Sequence, residues 1–247
     1  MTRPVFVIDT ETMGYATPGG TVELTGPEGR HAAAVRRIGP GETIDLVDGL
    51  GKRATAAVLE SSGSGLTLRV EALSEDPAPQ PRLVLVQALA KGDRDDQAIE
   101  AATELGVDAV IPWQARRSIV QWRGERGRKA HRKWVEAVRA AGKQSRRAAF
   151  PEVEPLVDLA GLVRRVQAAA ATVVLHEEAT EPLAGADLPT SGEILLVVGP
   201  EGGISPEELD ALAEVGARPM RLGHTVLRSS SAGPAAIAVL SAATRWR

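Results

Sequence analysis

The sequence predicts a small β-barrel over residues 1–73 and an α/β domain with a largely parallel sheet over residues 82–247, joined by a linker at 74–81. Three observations predict this. Before residue 74, short apolar runs are parted by Gly-Gly, Pro-Gly, Asp-Gly and Gly-Ser-Gly, which are turn signals. Ser74-Glu-Asp-Pro-Ala-Pro-Gln-Pro81 carries three prolines in five residues, which cannot continue a strand ladder. Beyond it strands and helices alternate, and Ile194–Val198 is apolar without alternation, as in a strand covered on both faces of a parallel sheet.

In order, Val5–Ile8, Thr21–Thr25, Thr43–Val47, Ala54–Leu59 and Leu66–Ala72 read as strands, with one helix over Glu28–Arg37. Asp48-Gly49 between two of the runs is a hairpin signal. In the second domain Leu83–Leu89 is a strand and Asp93 caps a helix that Gly106 stops. Val107–Ile111 is a strand, Arg128–Arg147 a basic helix, Pro155–Ala170 a helix and Thr172–His176 a strand. After Glu193–Val198 a helix starts with Ser205 as N-cap, Pro206 at the first position and Glu208 three residues past the cap. Pro219–Leu222 is a short strand, and a small-residue helix runs from Ser229 towards Trp246. From Ala232 on that helix is apolar on nearly every side, so it needs cover on more than one face, which a two-fold partner supplies. The sequence therefore predicts a homodimer.

Composition excludes several classes. Hydrophobic content of 43% with 25% charged residues is ordinary for a globular protein. No run of eighteen apolar residues and no signal peptide occurs, which predicts a cytoplasmic protein with no membrane partner. Cysteine is absent, and four histidines at 31, 131, 176 and 224 show no ligand spacing, so no metal is expected. The net charge of -3 hides an asymmetry. Residues 116–147 carry twelve Arg and Lys against Glu125 and Glu136 alone, leaving seventeen bases against thirty acids elsewhere. Trp113, Trp122 and Trp134 fall in or beside this stretch. Cations neutralise phosphates and aromatic planes stack on splayed bases, so the stretch as a whole reads as an RNA surface. Each Trp taken alone reads as core.

The most informative residues are Gly199-Pro-Glu-Gly-Gly203 at the end of the buried strand, and Leu222-Gly-His-Thr-Val-Leu-Arg-Ser-Ser-Ser-Ala232 twenty residues later. Ligands of parallel sheets sit at the carboxyl ends of the strands, and glycine there lets backbone approach them. A tight strand-to-helix turn without ligand accounts for the first piece equally well. No phosphate loop and no Gly-x-Gly-x-x-Gly is present, and Gly63-Ser-Gly65 lacks the third glycine, which disfavours a Rossmann enzyme. Ser229–Ser231 form no nucleophile elbow and read as helix capping.

Together the two pieces resemble the SPOUT class of methyltransferases, and within it the RsmE family, which methylates N3 of a uridine in 16S ribosomal RNA of the small subunit. Ala88-Leu-Ala-Lys-Gly-Asp-Arg94, Ala102–Gly106, Pro112, Arg116-Arg117-Ser118, Glu136-Ala137, Gln144-Ser-Arg146 and Pro151-Glu-Val153 extend the resemblance over nearly the whole chain. It implies a SPOUT-type α/β knot domain preceded by a small PUA-like β-barrel; sequence rules alone lead to an open doubly wound sheet, because knots are nearly absent from proteins.

The resemblance also implies S-adenosyl-L-methionine as cofactor, held by three loops. These are Leu175, His176 and Glu177; Gly199, Pro200, Glu201, Gly202 and Gly203; and Leu222, Gly223, Val226 and Leu227. Lys91, Arg94, Arg116, Arg117, Lys143, Gln144 and Arg146 would position the RNA, and Arg36, Arg37 and His31 would face it, although a solvated helix face explains the last three equally well. The family carries an acidic residue after the Leu-Arg pair, where this chain has Ser229-Ser230-Ser231. That departure leaves the general base open, with Arg228 as the residue to stabilise a uracil anion. Two rival readings stand beside this one: a SPOUT enzyme for tRNA or another ribosomal position, and a non-catalytic RNA-binding assembly factor.

Overall fold

The computed structural model describes residues 3–246. They form two compact units, one running to Ala78 and taking in Gly142–Phe150, the other comprising Pro79–Ala141 and the chain from Pro151 onward.

In the first unit the elements are β1 (Val5–Val7), α1 (Thr10–Tyr15), β2 (Thr21–Leu24), α2 (Gly26–Arg30), a π turn (His31–Val35), β3 (Thr43–Val47), β4 (Lys52–Ser62) and β5 (Gly65–Glu75). The sheet order is β1-β3-β4-β5-β2, with β1 parallel to β3 and the other pairs antiparallel. Five strands and a helix match the sequence reading, but no strand pair joins β1 to β2 among the described residues. The α2 segment and π turn bury Ala32, and with Ile38 just beyond they pack on Phe6, Leu24 and Leu66. α2 approaches so closely that a Cβ on Gly29 would lie 2.2 Å from the Leu24 carbonyl oxygen. α1 was not expected; Asp9 starts it by accepting from the Thr12 amide at 2.7 Å. The predicted hairpin forms, with Asp48 Oδ1 accepting from the amides of Leu50 and Lys52. β5 runs through Ser74 to Glu75, so the extended connection begins later than the proline pattern implied.

Residues 142–150, read from sequence as part of the second domain, fold with the first unit. Ala148 and Phe150 pack on Val5, Val7 and Val47. The Lys143 ammonium bonds both Glu28 oxygens at 2.8 and 2.7 Å and lies 5.1 Å from the Phe6 ring centre.

The second unit contains β6 (Arg82–Ala88), α3 (Arg94–Glu104), β7 (Ala109–Trp113), most of α4 (Gly124–Gln144), β8 (Glu152–Val153), α5 (Leu159–Ala168), β9 (Ala171–Leu175), β10 (Glu193–Val198), α6 (Pro206–Glu214), β11 (Arg218–Met220) and α7 (Ser229–Thr244). All six strands are parallel in the order β11-β9-β10-β6-β7-β8. Leu83, Leu85, Ile194, Leu196 and Val198 bury one face with Trp134 and α7; Val84, Val86, Leu195 and Val197 bury the other with Leu162 and Leu212. Both faces are covered, which is why these strands show no alternation. α5 starts later than predicted because Asp158 caps it, accepting from the Gly161 amide at 2.8 Å. The residues before it are extended: Val157 bridges to Trp113, and β8 pairs with β7.

The last helix is not apolar to solvent all round. Gly233, Ala236, Ile237 and Leu240 are buried within this unit, and a Cβ on Gly233 would lie 2.7 Å from Leu85. What faces outward is small: Ser231, Ala242 and Ala243 are exposed, Ala235 and Ala238 half-buried. Ile237 is therefore a core residue of the single chain, not a reporter of subunit contact. No helix among the described residues is long and apolar enough to cross a membrane.

Candidate functional site

The carboxyl ends of β9, β10 and β6 open into a cleft of about 410 Å³. The three loops singled out in the sequence meet there. Leu175, His176 and Glu177 continue β9; Gly199, Pro200, Glu201 and Gly203 continue β10; Val226, Leu227 and Arg228 lead into α7. Arg94, at the start of α3, lines the same cleft. Leu222 and Gly223 line a recess of about 90 Å³ that shares Leu175, His176, Glu177, Val226 and Leu227 with it. Sequence reasoning missed Val198, Ile204, Ser229 and Ala232 in the cleft and Arg221 in the recess; all but Ala232 adjoin a residue it chose, and His224 and Thr225 of the recess fall within the Leu222–Arg228 loop it named.

Hydrogen bonds hold the loops in place. The Glu201 carboxylate accepts from the Lys91 amide at 3.2 Å and the Arg94 guanidinium at 2.9 Å, joining the turn after β10 to the turn after β6. Partial burial pushes this carboxyl up, but the amide bonds and Arg94 outweigh it and hold it below its ordinary range. The Ser205–Glu208 capping box forms as the sequence predicted. Glu208 is buried and also accepts from the Arg116 amide at 2.7 Å, fastening the loop after β7 to the start of α6. The His176 Nδ1 accepts from the Glu178 amide at 3.3 Å, which leaves Nε2 to carry the ring proton in the neutral form.

Several expectations need correction. Gly202 does not line the cleft: its carbonyl accepts from Arg117 at 3.0 Å, and a Cβ there would meet the Arg117 Cβ at 3.3 Å. A Cβ on Gly199 would meet Ile204 at 2.6 Å, so this glycine is required by its own turn; at Gly223 a Cβ would meet nothing within 4 Å. Ser229–Ser231 do not cap the last helix. Arg228 holds the N-cap position without a side-chain bond, and the Ser229 Oγ is buried with no partner among the described residues.

Of the basic residues chosen for RNA, Lys91, Arg94, Arg116 and Arg117 lie along the carboxyl edge of the sheet, and Arg116 pairs with Glu207 at 3.1 Å. Lys143 is engaged by Glu28 and is a structural cation of the first unit. Gln144, Arg146, Arg36 and Arg37 are exposed in that unit. Trp113 and Trp134 are core, as each Trp alone implied; Trp122 is half-buried. Among the described residues no cluster of His, Cys, Asp and Glu is arranged to hold a metal.

Asp95, next to Arg94, is a buried carboxyl in the first turn of α3. Burial, then the neighbouring Asp96 charge, push it up to about 6, against bonds from the Asp96 and Ala90 amides that lower it. A folded pKa above the unfolded value means ionisation opposes folding. The opposition is absent below pH ~4, grows between roughly 4 and 6, and is constant above. Asp95→Asn should therefore stabilise the protein at pH 7.5 by on the order of 1–2 kcal/mol, with partial solvent screening included, and by nothing at pH 4. Denaturant titrations at the two pH values measure this; a gain of equal size at both would refute the ionisation account.

Comparison with known proteins agrees with this arrangement. A family model described as an RNA methyltransferase domain matches residues 76–241, and one described as an RNA methyltransferase PUA domain matches residues 24–71. The chain is 44% identical over its whole length to ribosomal RNA small subunit methyltransferase E of Mycobacterium bovis, covering 94% of that protein. It is 29% identical to the Bacillus subtilis protein of the same name, with 90% of each chain covered. Among solved structures, ribosomal RNA small subunit methyltransferase E from Neisseria gonorrhoeae, bound to S-adenosyl methionine, superposes with a TM-score of 0.86 at 27% identity over 98% of both chains. A Legionella pneumophila methyltransferase structure in complex with the same cofactor gives 0.82 at 28% identity over 99% of both. The SPOUT-type α/β domain preceded by a PUA-like domain is thus the fold. With two domain models and a full-length relative in agreement, the chain belongs to the ribosomal RNA small subunit methyltransferase E family.

Proposed function

We propose that the protein transfers a methyl group from S-adenosyl-L-methionine to N3 of a uridine in 16S rRNA of the small subunit, in the cytoplasm, by direct in-line attack. The observation that carries this is the convergence of three loops, two of them glycine-bearing, on one cleft and its adjoining recess at the carboxyl edge of the parallel sheet. The residues present suit the cofactor. Val226 and Leu227 are exposed apolar side chains at the cleft, Gly223 leaves open space, and the buried Ser229 Oγ lacks a partner. Apolar walls with a few fixed polar groups are what a nucleoside-bearing ligand needs. Glu177 and Glu201 line the cleft and would favour a cationic ligand there, Glu201 with part of its charge already met by Arg94. When bound, the cofactor supplies an activated methyl; the chain's part is to hold the accepting nitrogen in line and manage its proton.

Uracil N3 bears a proton that must leave. No carboxylate follows Arg228, but Arg228 lines the cleft and makes no ion pair among the described residues. Arg94, by contrast, is shared with Glu201. An unpaired guanidinium would stabilise the anion that forms as N3 loses its proton, so that the proton can pass to solvent water without a dedicated base before N3 takes the methyl group. Lys91, Arg116 and Arg117 along the same edge contact the RNA backbone in this reading. The outward small-residue face of α7, with Ala235, Ala238 and Ala242, supports pairing of two chains into a homodimer.

The test is to map N3-methyluridine in 16S rRNA from cells with and without the gene. One nucleotide should lose its methyl group in the deletion and regain it on complementation, but not with the Arg228→Ala variant. Persistence of every methyluridine in the deletion strain would refute the activity. Loss of methylation in tRNA instead would favour the first rival.

A further inference from the structure

A second recess opens at the same carboxyl edge of the sheet, beyond β7 and β8 rather than β9 and β10. It encloses about 450 Å³, and its walls include Gln114, Gln121, Trp122, Arg123 and Arg164. Trp122 and Leu156 also line an adjoining, more open hollow of about 380 Å³ beside His131 and Pro155. Neither space belongs to the cleft described above.

Three features of the recess point to a ligand class. The first is a fixed aromatic wall. The Trp122 ring meets Trp134 edge-on, with centres 5.0 Å apart and planes at 77°, and meets His131 at 6.4 Å and 82°. Gln114 braces the same turn twice, its Nε2 donating to the Val120 carbonyl at 3.0 Å and its Oε1 accepting from the Trp122 amide at 3.2 Å. A half-buried ring held on two sides and from its own backbone needs little further ordering to receive a flat partner. The second feature is unpaired positive charge. Arg128 and Arg132 share Glu125, Lys133 is taken up by Asp96, and Arg116 pairs with Glu207. Arg123 and Arg164 are exposed and pair with no carboxylate among the described residues, and both line this recess. The acid in the wall, Asp158, has one oxygen committed to the Gly161 amide at the start of α5. The third feature is continuity. The chain that leaves β7 passes through Arg116 and Arg117, which touch the turns of the cleft, and arrives directly at Gln121–Arg123.

An aromatic plane flanked by free guanidinium groups and side-chain amides matches an unstacked nucleobase with its adjoining phosphates. We propose that this recess is a second RNA subsite, which holds an unpaired base of the substrate on Trp122 and its phosphates at Arg123 and Arg164, while the cleft holds the base to be methylated. This rests on the reading of the protein as an rRNA methyltransferase. It adds a contact by which the enzyme grips single-stranded RNA beside its target.

The probes are naked 16S rRNA and intact small subunits, with the wild-type chain, Arg123→Ala/Arg164→Ala, Trp122→Ala and Trp122→Phe. Trp122→Ala should weaken binding of naked rRNA roughly 5- to 150-fold, the loss of one stacked base, and Trp122→Phe should restore most of it. The arginine pair should lower the slope of log K against log salt by about 1.4, two single-strand phosphate contacts at ~0.7 each. KM for RNA should rise in both, with calorimetric affinity for S-adenosylmethionine unchanged. Unaltered rRNA affinity and salt slope in the arginine pair and in Trp122→Ala would overturn the subsite while leaving the methyltransferase reading intact. Weakened binding to subunits with unaltered binding to naked rRNA would assign the recess to a ribosomal protein and overturn it as well. Failure of the wild-type chain to methylate either RNA would sink the underlying reading. Trp122 packs on Trp134, so if Trp122→Ala misfolds, the arginine pair decides.

Discussion

Replacing Ile237 by Glu should unfold the methyltransferase unit rather than separate two folded subunits. Ile237 is fully buried and packs in the cluster of Leu83, Leu85, Ile99, Leu196 and Leu240. Removing an aliphatic side chain from such a site costs about 2–5 kcal/mol. An unpaired carboxylate in its place adds several more, because the site has nothing to solvate it. A typical domain has only about 5–15 kcal/mol in hand, so the variant should be insoluble or lack a cooperative thermal transition. Ala238→Arg tests the outward face of the same helix. Half-buried Ala238 lies one residue on from Ile237, on the small-residue side. This variant should keep a cooperative transition near the wild-type temperature, and light scattering should show its mass halved relative to wild type. A wild-type mass near 26.0 kDa would refute the homodimer, and a soluble Ile237→Glu chain with an unchanged melting temperature would refute the assignment of Ile237 to the core.

The difference between these two residues shows where sequence reading stops. The last helix has apolar residues at nearly every position, and composition alone cannot separate alanines that touch a sheet from alanines that touch solvent. Register on the sheet decides, and Gly233 against Leu85 sets that register. Lys143 is a similar case. In a run of twelve cations it reads as one more phosphate contact, yet its partner Glu28 lies 115 residues earlier and only folding brings them together. By contrast, the Gly199–Gly203 loop was legible because it follows an apolar strand of a parallel sheet, while the loops at Leu175–Glu177 and after β11, itself only Arg218–Met220, were implied by the resemblance to the family. The capping box at Ser205 was legible because its signal is local. Glu208 reaching the Arg116 amide was not, since no local rule links residues 92 apart. The same limit hid the bond from Arg117 to the Gly202 carbonyl, which joins residues 85 apart in sequence.

Gly199 of the cleft and Gly223 of the adjoining recess should accordingly behave differently when each is replaced by Val. Gly223→Val should leave the protein folded and remove cofactor binding. It is exposed, its added Cβ meets no protein atom within 4 Å, and the space the side chain enters is the recess that adjoins the cleft proposed for the cofactor. A branched side chain there excludes ligand atoms, a loss expected to exceed 100-fold in affinity, or about 2.7 kcal/mol and more at 1.36 kcal/mol per tenfold. Gly199→Val should lose cofactor and stability together, since its Cβ falls 2.6 Å from the Ile204 side chain and 3.4 Å from the Ile204 amide nitrogen. Relief requires moving the turn that presents Glu201 to Arg94, so the damage reaches beyond the pocket. Overpacking of this kind typically costs about 1–3 kcal/mol, which a thermal melt without ligand resolves. Calorimetry with S-adenosylmethionine supplies the other half of the comparison. Should Gly223→Val bind the cofactor as tightly as wild type, the ligand does not enter the recess between Leu175 and Leu222. Should Gly199→Val melt at the wild-type temperature, the turn is softer than its packing against Ile204 requires.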